Sequence, residues 1–201
     1  MTDLELYDAI RLECHDKAFH CFGYSYIFEK RANLFRKVVY LIKALGILVP
    51  ALIGATVLGY GIHNSTLIWI VYIAIPVMII QFIFSLITIL YKWDDELSYA
   101  YEAKVSYDNL YSKYKKLGKT PPLKYLDLKR EYDLIELEKT LRNQQDSQHG
   151  IKDWELRRGM RYSLREHKEK CHGCEIMPLS IISTDCYVCG NFSLKYQTYK
   201  S

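Results

Sequence analysis

Between Lys43 and Lys92 the chain carries no Lys, Arg, Asp or Glu: 48 consecutive residues, Ala44 to Tyr91, are uncharged. On either side charged residues return every few positions, in periods that suit amphipathic helices. A helix crossing about 30 Å of hydrocarbon needs about 20 residues, so the gap has room for two spans and a short connection. The first is placed at 39–62 (VYLIKALGILVPALIGATVLGYGI) and the second at 67–91 (LIWIVYIAIPVMIIQFIFSLITILY), with His63, Asn64, Ser65 and Thr66 as the turn. Two buried helices of a soluble bundle are the alternative, but core helices are rarely apolar on every side for so long.

The flanks read as helices of another kind. Leu4, Ile10, Cys14, Ala18 and Cys21 recur at helical spacing before the first span. The segment after the second span carries Tyr99, Tyr101, Tyr107, Tyr111 and Tyr114, and should end at Gly118 before Pro121 and Pro122. Amphipathic rings of this kind pack between helices or sit at the headgroup level of a bilayer. A further helix is predicted over about 122–145, with Leu126, Leu134, Leu137 and Leu141 on one broad face, and another over 151–170. The expected fold is mainly α: a two-span transmembrane helical hairpin, a cytoplasmic helical bundle and a small C-terminal zinc-ribbon-like module. The segments are 1–38 (amphipathic helix), 39–91 (hairpin), 92–150 (helical hairpin) and 151–201 (basic helix plus cysteine module).

The spans contain more than anchoring residues. Pro50 and Pro76 fall near mid-membrane, where each removes a helical hydrogen bond and can bend its helix. Ala51, Ala55 and Gly59 form a small-residue stripe that lets helix backbones approach closely. Gln81, Ser85 and Thr88 share one face of the second span. That stripe can serve interhelical hydrogen bonding or, in an oligomer, line a pore, since two spans alone enclose no channel.

Charge sets orientation. The chain holds 27 basic and 23 acidic residues, a net +4 too mild to point to nucleic acid. Lys30, Arg31, Arg36, Lys37 and Lys43 precede the first span and Lys92 follows the second, whereas the turn has no basic residue. The positive-inside rule then places both ends in the cytoplasm, and Lys43 can snorkel to that interface. The charged start of the chain lacks the pattern of a signal peptide.

Four of the six cysteines form two Cys-x-x-Cys pairs, Cys171/Cys174 and Cys186/Cys189, separated by EIMPLSIISTD. In a reducing compartment this spacing favours a metal over disulfides. Zinc takes four thiolates in a tetrahedron, leaving no open position, so the site should be structural. PLSIIS and FSLKYQTY have strand-like composition and would form a small hairpin returning to the ion. Gly190 suits the turn that points backbone amides at the sulfurs. A thiol-exchange enzyme is disfavoured, because no thioredoxin-like alternation of strands and helices surrounds either pair. Cys14 and Cys21 are seven apart, about 10 Å along a helix, too far to share one ion, and read as core residues. Arg157, Arg158, Arg161 and Arg165 cluster on the helix before the cysteines, where guanidiniums can hold phosphates by paired hydrogen bonds. A charge run on a solvated face is the plainer reading.

The helix, two-span hairpin and further helices resemble the SLATT domain, a two-transmembrane effector of bacterial conflict systems. The Cys-x2-Cys-x11-Cys-x2-Cys tail looks like the pattern of the mobilome CxxCx(11)CxxC proteins. The resemblance implies a homo-oligomer (a tetramer, for example) in the bacterial inner membrane that forms a depolarising pore in phage defence. It also implies gating by a nucleotide or short oligonucleotide from a partner nucleotidyltransferase, and no enzymatic activity. The rival reading is a non-conducting scaffold whose zinc ribbon recruits a protein partner.

Overall fold

The computed structural model describes residues 3–60 and 65–192. Among them the regular structure is five helices with no strand: α1 (Asp3–Tyr60), α2 (Ser65–Leu90), α3 (Trp93–Lys119), α4 (Tyr125–Asp146) and α5 (Asp153–His167). The chain divides into two units, Arg31–Tyr99 and the combination of Met1–Lys30 with Ala100–Ser201. Of the expected turn, His63 and Asn64 lie outside the described residues, while Ser65 and Thr66 open α2.

In the Arg31–Tyr99 unit, α1 continues through Pro50 and α2 through Pro76 without interruption. Both helices are long and apolar enough to cross a membrane. Their apolar side chains face outward rather than into a core: Trp69 is 72% exposed and Ile89 72%. A soluble bundle would bury such a surface, at about 25 cal/mol per Å². The exceptions lie on one face of α2, where Ala74 is buried and Gln81, Ser85 and Thr88 are half-buried. That face meets α1: a Cβ added to Gly46 would lie 3.0 Å from the Gln81 amide nitrogen. Thr56 and Thr88 satisfy their hydroxyls locally, donating to the carbonyls of Leu52 (2.7 Å) and Phe84 (2.8 Å). Lys43, expected to snorkel, donates to Asp94 at 2.8 Å and so ties α1 to the first turn of α3. Ala51, Ala55 and Gly59 are exposed, so the small-residue stripe looks away from α2.

The other unit packs the first part of α1 with α3, α4 and α5. α3 buries Ala100, Ala103, Tyr107, Leu110, Tyr114 and Leu117, a three-four alternation that makes one continuous apolar seam. Cys14 and Cys21 are wholly buried, as core residues. Burial pushes both thiols up to about 11, with Glu13 adding to the effect at Cys14.

α4 turns its leucine face outward. Leu126, Leu134, Leu137 and Leu141 point to solvent, and Leu126 is 75% exposed. The face turned inward is largely polar, and side-chain bonds hold it. Lys17 and Tyr114 both donate to Glu136, at 3.2 and 2.5 Å. Tyr107 donates to Asp146 at 2.6 Å, and buried Arg142 bridges Asp146 to Glu102. Leucine spacing marked a helix here, but polar partners on α1 and α3 chose which side went in.

A four-cysteine module built on α1 and α5

α5 is brought close to α1 by two glycines. A Cβ on Gly159 would lie 2.9 Å from the Gly23 carbonyl oxygen, and one on Gly23 2.9 Å from the Ser163 hydroxyl. With no side chains between them the helix backbones nearly touch. Ser163 donates to the carbonyl of Phe19 at 3.1 Å, and Tyr26 and Tyr162 stack with centroids 3.9 Å apart.

The end of α5 aims the chain at the cysteines. Lys168 adopts a left-handed conformation (φ 56°), and the Glu169 and Lys168 amides return to the carbonyls of Leu164 and Arg165 at 2.9 and 3.3 Å. This is the paired-bond stop that ends many helices, here without the usual glycine. Three residues later Cys171 rests on Phe19 and Leu164, which form an apolar floor with Cys189.

All four sulfurs lie within 4.8 Å of one another. The Cys171–Cys186 and Cys174–Cys189 separations are both 3.9 Å, far longer than a disulfide. They match the edge of about 3.8 Å that a tetrahedron with Zn–S bonds near 2.3 Å requires. The two pairs form similar turns. Gly173 N–H points at the Cys171 sulfur and Val188 N–H at the Cys186 sulfur, each at 3.4 Å. Glu175 N–H closes the first turn on the Cys171 carbonyl at 2.7 Å, and Gly190 N–H the second on the Cys186 carbonyl at 2.9 Å. Backbone hydrogen bonding from Cys189, followed by Val188, lowers the Cys186 thiol to about 7, whereas burial raises Cys189. Donor type, spacing and amide support all fit a closed structural site for a thiolate-seeking ion such as zinc.

One of the two expected hairpin strands is corrected. The segment PLSIIS is irregular rather than a strand, and of FSLKYQTY only Phe192 lies within the described residues. Among the described residues the module therefore contains no strand. Its polar backbone groups go instead to a side chain and to a neighbouring turn, through Arg161 to Ser180 O and Asn191 N–H to Thr184 O. Gly190 is needed for space, not for a positive φ: a Cβ there would fall 2.3 Å from the Thr184 carbonyl oxygen, while Asn191 takes the left-handed conformation.

The arginine cluster does not act as one surface. Arg161 is buried and turned into the cysteine loop. Its Nε and one terminal nitrogen already bond within that loop, which sets it apart from the other three arginines. Arg157 donates to the Asn191 carbonyl at 3.2 Å, Arg158 lies over the Tyr26 ring, and Arg165 pairs with Glu166. Sequence reasoning missed Gly23, Gly159 and the floor at Phe19. A glycine inside a helical pattern was the available signal for the first two.

No curated protein and no solved structure matches the chain. Residues 11–192 match the family described as mobilome CxxCx(11)CxxC protein, and the chain belongs to that family.

Proposed function

We propose that this protein is a membrane effector: a homo-oligomer whose paired helices cross the bacterial inner membrane, with both termini cytoplasmic. It conducts ions when triggered and thereby depolarises the cell as a defence against phage. The observation that carries this reading is the outward-facing apolar surface of two long helices in a chain whose other unit is a polar-bonded helical bundle. Membership of a mobile-element-borne family is compatible with it. In this reading the protein performs no chemistry, and zinc at Cys171, Cys174, Cys186 and Cys189 gives the tail its shape.

The trigger in this reading is a nucleotide or short oligonucleotide made by a partner nucleotidyltransferase. It is held by the cytoplasmic region with Arg157, Arg158 and Arg165 as its cations. Such a ligand gates only through unequal affinity for the closed and open states. Gln81, Ser85 and Thr88 become the pore lining when oligomerisation or gating parts α2 from α1, since within one protomer they are half-buried and Gln81 lies against Gly46. The outward stripe of Ala51, Ala55 and Gly59 supports contact between protomers.

The test is membrane potential in bacteria expressing the chain alone and with its genomic neighbour, paired with ion flux from vesicles containing the purified protein. Flux that is lost in Gln81→Leu/Ser85→Leu supports the pore. Undiminished toxicity in that variant, with no flux from wild-type vesicles, sinks it in favour of a non-conducting scaffold.

A further inference from the structure

We infer that Arg161 is the positioning residue of the cysteine site: it offsets the charge of the thiolates and clamps the loop that carries the second pair. Four thiolates around a divalent ion leave a net charge of about −2, and a buried charge is costly unless a partner and hydrogen bonds compensate it. Cys171 and Cys186 receive N–H groups from their own turns. Cys189, which is completely buried, is approached by the Arg161 guanidinium at 3.7 Å from its sulfur and 3.5 Å from its carbonyl oxygen.

The same side chain holds the eleven residues between the pairs. Ile176, Leu179 and Ile182 of that loop are exposed, so it has little apolar core of its own. Arg161 Nε donates to Ser180 O at 2.8 Å, and its terminal nitrogen donates to the Thr184 hydroxyl at 3.2 Å. Thr184 O is in turn the acceptor for Asn191 N–H and the atom against which Gly190 is packed. One planar cation therefore ties α5, the loop and the second cysteine turn together. A lysine could supply the charge but not the fork of donors.

The inference rests on the metal reading of the four cysteines, and the experiment separates the two. Wild type, Arg161→Met, Arg161→Lys and Thr184→Val are purified in detergent and loaded with zinc or cobalt. Zinc transfer to a chromogenic chelator is timed, and the cobalt–thiolate charge-transfer band is recorded. Outer partners of metal ligands typically change affinity by about 10–100-fold when removed. Arg161→Met should release zinc at least about tenfold faster and move the charge-transfer band to longer wavelength, because a thiolate that loses its cation gives up electrons more easily. Arg161→Lys should restore most of the band position but only part of the release rate. Thr184→Val should speed release and leave the band unmoved. An Arg161→Met protein with wild-type band and wild-type release overturns the assignment, as does faster release with no band shift in any variant. A wild-type chain that takes up neither ion overturns the metal reading beneath it.

Discussion

α2 and α4 both show leucine or isoleucine to the outside, yet the two exposures have different origins. On α2 nearly every side chain is apolar, and among the described residues the covered face is a narrow one bearing Ala74 and Gln81, with Gln81 against α1. The Thr88 hydroxyl bonds to its own helix, at the Phe84 carbonyl. Such a helix has satisfied its backbone and needs only an apolar solvent. On α4 a single leucine stripe lies opposite a face of Glu136, Arg142 and Asp146, each bonded to a neighbour. One helix is long and apolar enough to cross a membrane; the other is fastened to its bundle by polar contacts with an apolar strip left over. Exposed apolar surface thus signals a span only when the polar residues fail to find partners elsewhere in the fold.

The largest test of this contrast lies at the cysteines, which have only a small apolar floor at Phe19 and Leu164 to rest on. Cys189→Ser should abolish stoichiometric metal by elemental analysis and unfold the segment 171–192. Structural zinc supplies about 10–16 kcal/mol in small modules. The α1–α3–α4 packing should survive, visible as retained far-UV helicity; its loss would mean the bundle too depends on metal.

Next come the polar fasteners of the bundle. Tyr107→Phe removes the hydroxyl that reaches Asp146 and should cost about 1–3 kcal/mol, read as a lower unfolding midpoint in detergent. Gly159→Leu should cost a similar amount, about 1–3 kcal/mol, by forcing α5 away from Gly23. A neutral result at either would show that the bundle is held by apolar contacts after all.

A thiol count sharpens the comparison further. At pH 8 the metal-loaded protein should protect all six cysteines from alkylation, and chelation should open four. Cys14 and Cys21 should stay closed, since burial raises them to about 11 and keeps them neutral. For these two the neutral form is favoured in the fold. Their contribution to stability is complete below the ordinary thiol value of 9 and is lost as pH rises from 9 toward 11. Six reactive thiols after chelation would mean the bundle opens with the tail.

The smallest effect belongs to the leucine stripe. Leu134→Gln with Leu137→Gln should change stability by within about 0.5 kcal/mol per site, because both side chains already face solvent. A loss of several kcal/mol would place another surface against α4.

The sequence by itself determined the two helices long and apolar enough to span a membrane, the helical flanks and the cysteine quartet. Each of these is a local property: an uncharged run of sufficient length, a helical period, or ligand spacing that one turn can satisfy. The inward burial of Cys14 and Cys21 was legible for the same reason. Which face of α4 points inward, which arginine leaves the surface, and why Gly190 is glycine were decided only when distant segments met. Leu134 could be assigned to an apolar face from its spacing, but Glu136 could be assigned inward only once Lys17 and Tyr114 stood beside it. Arg161 belonged to a basic run until a loop about twenty residues later supplied Ser180, Thr184 and Cys189 as its acceptors. A periodic pattern records what a helix can bury; a partner's position decides what it does bury.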